Sequence, residues 1–382
     1  MRRTFLLALG VALLSGAFVL GFVLAGSPHR SSGTVAPSAV DEVRAELAAR
    51  YYRPVSSDVL QKASIRSMLA ALNDPYTSYL SPPAYMLLRQ ETAASYSGIG
   101  VSVLPGSGGL LVVATQPGPA RAAGIRTGDL ITTIDGHRTA QLGLAHALTR
   151  IMGGPLGSPV SLRVAREGRS LGYIVHRERL RAPTVRGRLL SLDGRRYGYV
   201  HMSAFRAGVA QVLETEIRSL ERSGAGGLVL DLRENPGGLL EQAVSVASLF
   251  LQKGTVVSLE GAHQPREVYS VSGGAFAPRL PLAVLIDRYS ASSAEILAAA
   301  LRDHRRATLV GEHTYGKAVV QSIDPLRNGA ALELTTASYF TPAGIDISRI
   351  GVRPDVRVAD NPKTAIDEVV AAGVATLAAK QS

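Results

Sequence analysis

The chain has 382 residues, 46% hydrophobic and 19% charged, enough for a sizeable core and more than one domain. It has no cysteine, which excludes disulfides, thiolate-ligated metal sites, thiol catalysis and a lipidated N-terminal cysteine. The net charge of +11 comes from scattered arginines such as Arg177, Arg179, Arg181, Arg186 and Arg188, with no aromatic interleaving, so no nucleic acid is expected as a partner.

Arg2 and Arg3 precede a stretch from Thr4 to Gly26 that carries no charge. This pattern predicts export, with residues 1–26 a signal peptide or a signal anchor. The stretch approaches the ~20 residues that span a bilayer, which favours an anchor, and Val23-Leu24-Ala25 is a mediocre cleavage site. The basic flank stays in the cytoplasm. The rest of the chain is then expected in the cell envelope, anchored to the inner membrane facing the periplasm or another extracytoplasmic side, or released there after cleavage. Residues 27–40 are rich in Ser, Pro and Gly and read as a flexible tether.

Residues 41–95 place apolar side chains at three- and four-residue spacing in VDEVRAELAARYY and DVLQKASIRSMLAAL, which predicts an N-terminal helical domain. The pattern ends at NDPYTSYLSPPAY, where Asn-Asp-Pro and Ser-Pro-Pro break helices. Residues 96–180 change period. GIGVSVL, GLLVVAT, DLITTID and PVSLRVAREG are short strands between glycine turns, with one helix in AQLGLAHALTRIM.

From residue 181 to 360 strands alternate with helices. RYGYVHM, GLVLDL, PLAVLID and ATLVG are strands, and GVAQVLETEIRSLERSG and LLEQAVSVASLFL are helices. Continuous apolar strands alternating with helices predict an α/β core around a largely parallel, doubly covered sheet. Residues 361–382 form a C-terminal helix. The fold class is therefore mixed α/β and multidomain.

Two turns in this core carry candidate chemistry. Ser292-Ser293-Ala294-Glu295 follows the strand PLAVLID and fits a capping box, in which Ser292 caps a helix and Glu295 reaches back. A hydroxyl at a helix N-terminus also suits a nucleophile, because backbone N–H groups there can hold an oxyanion. Asn235-Pro236-Gly237-Gly238 follows GLVLDL. In open parallel sheets such turns crowd the carboxyl edge where ligands bind. The N–H groups of Gly238 and Ser293 are then candidate oxyanion donors. A glycine helix-entry turn without chemistry is the plain alternative.

A serine nucleophile needs a base. His304 would lie roughly 18 Å from Ser292 along a straight helix. Asp303 is nearly as far, on the same helical face, and is a candidate support. His313 would make a Ser/His/Asp hydrolase. Lys317 enters an apolar strand, where desolvation lowers a lysine pKa and yields a neutral amine that can take a proton. Gln321 lies on the same strand face and would orient that amine without adding charge. A solvated edge-strand lysine is the alternative reading.

SASSAEILAAALRDHRRATLVGEHTYGKAVVQS, LVLDLRENPGG, ISRIGVRPD, DPYTSYLSP and YSGIGV together resemble the carboxyl-terminal processing peptidases, or tail-specific proteases. PGPARAAGIRTGDLITTIDG resembles a PDZ domain. The resemblance implies a PDZ domain followed by a serine protease core. It implies Ser292 as nucleophile, Lys317 as base and Gln321 as its support, with Asp303 as a helix aspartate. It places the oxyanion donors on Gly238 and Ser293. Two positions depart from the usual pattern: Ala318 stands where glycine is frequent, and Ser293 where alanine is frequent.

A PDZ domain binds a C-terminal tail as an added strand and captures its carboxylate on backbone N–H groups. The candidate loop is Ser97-Gly98-Ile99-Gly100, continuing into Val101, with Leu142, Leu144 and Leu148 shaping the side-chain pocket. The expected partners are protein substrates held by their tails, the membrane through residues 1–26, an activating lipoprotein or adaptor, and a homodimer formed by the N-terminal helices. No metal or cofactor is expected. A catalytically silent PDZ adaptor is the alternative function.

Overall fold

The computed structural model describes residues 38–379 except 94, 143, 181–183, 362, 363 and 365. The apolar segment 1–26 and the tether up to residue 37 lie outside the described residues. Among the described residues no helix is long and apolar enough to cross a membrane. The chain divides into two compact units. One takes the described residues up to Tyr79, those of 183–327, and those from Leu332 onward. The other takes those of 80–182 together with 328–331.

The first unit opens with helix α1 (Ala39–Arg50). Ser38 caps it and Asp41 reaches back in a capping box, so the helix starts inside the stretch expected to be tether. Helix α2 (Ile65–Leu72) stops at Asn73, which adopts the left-handed conformation that ends helices. Strand β1 (Ser78–Leu80) follows. These elements were expected to form a domain of their own; most of them belong to the unit that holds the α/β core.

The core then runs through β2 (Val185–Leu192), β3 (Arg195–Met202), α3 (Val209–Arg222), β4 (Leu228–Asp231) and α4 (Leu240–Phe250). It continues with β5 (Thr255–Gly261), β6 (Gln264–Ser270), β7 (Leu282–Ile286), α5 (Ser293–Asp303) and β8 (Thr308–Gly311). It closes with β9 (Val319–Pro325), β10 (Ala331–Phe340), β11 (Val356–Arg357) and α6 (Glu368–Ala379).

The main sheet has the order β2-β3-β4-β7-β8-β11. Only the β2–β3 hairpin is antiparallel; β3, β4, β7, β8 and β11 run parallel. The parallel register sets Val200 against Leu230, Leu230 against Val284, and Val284 against Leu309. Alternation along the strands separates two faces. Leu228, Leu230, Leu282 and Val284 pack with α3, α4 and α5. Val229, Ala283 and Leu285 pack with Val370, Val374 and Leu377 of α6. Such fully buried aliphatic side chains contribute roughly 1.5–3 kcal/mol each. The C-terminal helix is thus one wall of the doubly covered sheet.

A second sheet of this unit has the order β1-β10-β5-β6, with β9 also pairing β10. It holds the helix-breaking turn of Asn73 to Thr77, because Thr335 N of β10 donates to Thr77 Oγ1 at 3.1 Å.

The other unit is built on a five-strand antiparallel path from Val101–Gly106 to Arg169–His176. A separate pair joins Tyr96–Gly98 to Glu178–Leu180. Its core holds Ile99, Leu110, Val112, Ile131, Ile134, Ile151, Val160 and Leu162. Asp129, buried, is held by Arg166 at 2.6 Å.

Candidate active site

Strand β7 delivers the chain to Asp287, whose Oδ1 accepts Tyr289 N at 3.0 Å and Ser290 N at 2.9 Å. Ser290 Oγ bonds Leu232 O at 2.8 Å, so this hydroxyl ties two loops together. Ala291 N donates to Asn235 O at 3.0 Å, which brings the glycine turn after β4 beside the start of α5. Ser292 then takes φ 54°. A positive φ at a non-glycine residue costs on the order of 1–3 kcal/mol and persists where neighbours over-determine it. Here Ser290 is locked on one side, and on the other Ile296 N bonds Ser292 O at 2.9 Å.

The expected glutamate half of the capping box is present, with Ser292 N donating to Glu295 Oε2 at 2.9 Å. Ser293 is the first residue of α5, so its N–H has no intrahelical acceptor. Its hydroxyl donates to Gly238 O at 2.8 Å. The serine in the place where alanine is frequent therefore clamps the two candidate oxyanion donors, Gly238 and Ser293, to each other. Gly238 has φ 140°, and a Cβ there would lie 2.3 Å from Phe205 O, so only glycine fits. Asn235, fully buried, braces the turn. Its amide donates to Met202 O at 2.6 Å, and its oxygen accepts Gly237 N at 2.8 Å.

Glu295 is fully buried and joins this half of the site to the segment before β9. Beyond Ser292 N, it accepts Thr314 Oγ1 at 2.5 Å, Gly316 N at 2.7 Å and Lys317 N at 3.0 Å. One carboxylate thus holds the backbone of both Ser292 and Lys317. Burial pushes its pKa up to about 7, against the pull of those four donors.

Lys317 precedes β9 and is 6% exposed. Its Nζ donates to Gln321 Oε1 at 2.6 Å, although Lys317 lies before the strand and strand alternation does not set its direction. Gln321 Nε2 in turn donates to the carbonyl of Tyr76. Burial lowers the Lys317 pKa from 10.5 to about 8, while Glu333, Asp74 and Glu295 pull it the other way. At pH 7 roughly one such lysine in ten is neutral, about 300 times the fraction at the ordinary value. Glu333, from β10, is buried and accepts Ser78 Oγ at 2.9 Å. Tyr76, Asn235 and Glu333 were not singled out from sequence.

A family model for the peptidases of family S41 matches residues 196–358, and a PDZ domain model matches residues 97–175. The carboxyl-terminal-processing protease of Synechocystis sp. is 36% identical over 323 residues, covering 83% of this chain and 75% of that protein. The chloroplastic carboxyl-terminal-processing peptidase 2 of Arabidopsis thaliana is 36% identical over 76% of this chain, which spans 59% of that relative's length. The solved photosystem II D1 C-terminal processing protease aligns with TM-score 0.55 and 29% identity, covering 84% of this chain and 92% of that one. The chain belongs to the carboxyl-terminal-processing proteases of peptidase family S41.

For a member of this serine peptidase family, the other expected site residues fall as follows. Asp303 does not reach the Ser292 and Lys317 group. It sits at the last residue of α5, where its Oδ2 accepts Ala343 N at 3.0 Å and its Oδ1 meets Arg302 at 3.3 Å. Sharing a helical face does not shorten a separation of about 1.5 Å per residue along the axis. His313 makes no hydrogen bond to Ser292 among the described residues. His304 Nε2 instead meets Thr255 O at 2.7 Å.

In the PDZ unit, Gly98 pairs with Glu178, and the Ile99 side chain lies in the core, so Ile99 offers only its backbone to a ligand. Gly100 turns with φ 83°. Val101, Leu142 and Leu148 are half-buried, and Leu142 and Leu144 pack on the core. Among the described residues no group of three or more His, Asp or Glu is placed to hold a metal ion.

Proposed function

We propose that this protein is a serine endopeptidase that cleaves exported or envelope proteins near their C-termini, with Ser292 as nucleophile and Lys317 as general base. The observation that carries the reading is the environment of Lys317. It is buried, it donates to a neutral amide, and its pKa falls to about 8. Such an amine can hold a lone pair near neutral pH and still return a proton.

In this mechanism Lys317 Nζ takes the proton of Ser292 Oγ as the oxygen attacks the scissile carbonyl. The tetrahedral oxyanion is accepted by the N–H groups of Gly238 and Ser293. Collapse breaks the C–N bond, and Lys317 gives its proton to the departing amine. Water, deprotonated by Lys317, then attacks the acyl-enzyme and frees Ser292. The strained backbone at Ser292 keeps the hydroxyl oriented before substrate arrives.

Substrate choice falls to the PDZ unit, whose loop from Ser97 to Gly100 presents backbone N–H groups to a tail carboxylate. The segment with Arg2 and Arg3 before an uncharged stretch supports delivery to the extracytoplasmic side and attachment to the inner membrane. An activating adaptor and pairing through α1 and α2 remain part of this reading.

The test is cleavage, by the full-length chain, of a polypeptide with an apolar C-terminal tail. The free-carboxylate form is expected to be cut at least tenfold faster than the amidated form, while Ser292→Ala retains binding and cuts nothing. Equal rates for the two tails would remove tail recognition. Binding without cleavage by the wild type would make the chain a silent adaptor.

A further inference from the structure

The segment NDPYTSY stood in the sequence as a helix breaker. In the structure it is a braced turn. Asp74 Oδ1 accepts Tyr76 N at 2.9 Å, and Asp74 Oδ2 accepts Thr77 Oγ1 at 2.7 Å and Tyr51 OH at 3.2 Å. Thr77 is buried, lies 3.0 Å from Thr335 Oγ1 and accepts Thr335 N. These bonds fix one backbone oxygen, that of Tyr76, against the amide nitrogen of Gln321.

A carbonyl can only accept, so it selects which end of the Gln321 amide faces it. With Nε2 turned to Tyr76, Oε1 must face Lys317 Nζ, as the 2.6 Å contact records. The opposite rotamer would set Nε2 against Lys317. It would then oppose a donor to the ammonium, or occupy the lone pair of the neutral amine. The Tyr76 ring adds a second effect, since its centroid lies 5.2 Å from Lys317 Nζ. A ring face at this range attracts the ammonium and not the neutral amine.

We propose that the turn from Asp74 to Thr77 completes the general base, with Tyr76 as a positioning residue. Its carbonyl orients Gln321 so that the Lys317 lone pair stays available to Ser292. Its ring steadies the ammonium that forms while the tetrahedral intermediate exists. This rests on Lys317 being the base. The charged groups facing Lys317 are Glu333 from β10, Asp74 from the turn and Glu295 from α5, and all stay in place when only the ring is changed.

The experiment measures the pH dependence of Ser292 modification by a fluorophosphonate, and of kcat/KM on a tail-bearing peptide, in the full-length chain. Removing the ring's preference for the ammonium lowers the Lys317 pKa. Tyr76→Leu, which keeps apolar bulk, is therefore expected to move the acid-side midpoint down by about half to one pH unit. Tyr76→Phe, which keeps the ring face, is expected to return it to the wild-type value. Tyr76→Trp, with a stronger ring face, is expected to move it up, and it serves if Tyr76→Leu does not fold. Coincident midpoints in Tyr76→Leu and wild type, or in Tyr76→Trp and wild type, would overturn the role of the ring. An equal shift in Tyr76→Phe would do the same. Lys317→Ala separates the two levels. If it stays reactive, the dyad itself falls; if it is inert while Tyr76→Leu is unshifted, only the role of Tyr76 falls.

Discussion

Arg233 and Lys317 are both withdrawn from water in the same compact unit, and they differ in what meets the charge. Arg233 sits in the turn after β4, with its side chain 18% exposed. Its guanidinium grips Asp231 at 2.6 Å and Asp367 at 2.8 Å, and Asp231 also accepts Tyr199 OH at 2.8 Å. Burial works against this cation, and the bonds to Asp231 and Asp367 outweigh it, so its pKa rises above the ordinary value. Lys317 donates to a neutral amide, and burial wins, so its pKa falls. A planar fork matched to two carboxylates makes a pin that never titrates. The pin joins the oxyanion turn to the start of α6. A lysine whose burial outweighs the carboxylates around it keeps a proton that can leave.

The largest expected effect breaks the chemical side of this contrast. Lys317→Ala is expected to lower kcat/KM by a factor of about 10⁴ or more, as loss of one member of a catalytic unit does. Lys317→Arg is expected not to restore it, because a guanidinium does not deprotonate. Steady-state kinetics on a tail-bearing peptide checks both.

The next effect lies on stability and has opposite signs at the two cations. Arg233→Met leaves Asp231 buried without its partner and is expected to cost about 3–5 kcal/mol in urea unfolding. Lys317→Met is expected to stabilise the chain at pH 7 by on the order of 3 kcal/mol. The sign follows from linkage. The folded-state pKa of about 8 lies below the unfolded value of 10.5, so between them the unfolded chain holds more protons. Wild-type stability therefore carries the full cost of burying Lys317 below pH 8, and the cost fades as pH rises to 10.5. If Lys317→Met destabilises the chain at pH 7, the charge is better compensated than this contrast requires.

A smaller effect concerns Glu295. Its folded pKa of about 7 is raised above the ordinary 4.5, so a proton is taken up as pH falls through 7. That proton competes with the bonds to Ser292 N and Lys317 N. The acid limb of kcat/KM is expected to approach a two-proton slope below pH 7. Glu295→Gln is expected to reduce the slope to one proton and the plateau by about tenfold, the equivalent of one hydrogen bond. Asp303→Asn, at the far end of α5, is expected to change kcat/KM less than about twofold.

Much of this arrangement is legible in the sequence where local rules act. The start of α5 at Ser292 follows from S-x-x-E, and the parallel sheet follows from apolar strands alternating with helices. The paired glycines mark a backbone approach that Gly238 does make, to Phe205. Lys317 stands out because lysine rarely precedes an apolar strand. What stays hidden is long-range or carried by backbone. The bond from Gln321 to Tyr76 uses a carbonyl that every residue possesses, so no side chain announces it. Glu333 reads as one polar residue in a strand until β10 is placed beside β1. Asp303 is too far along α5 for direct contact already in the sequence; its bond to Ala343 N, 40 residues on, is not legible there. In the PDZ unit, Ile99 sits in a glycine-rich loop that suggests a ligand surface, yet the side chain faces inward.

The most direct test titrates Lys317 itself. Lys62, Lys253, Lys317, Lys363 and Lys380 are the chain's lysines, few enough for NMR of 13Cε- and 15Nζ-labelled side chains. Lys317→Arg assigns the resonance by deleting it. The account predicts one lysine that titrates near pH 8 and vanishes in that variant. A Lys317 resonance that stays protonated until about pH 10.4, the reference value for lysine, would contradict it.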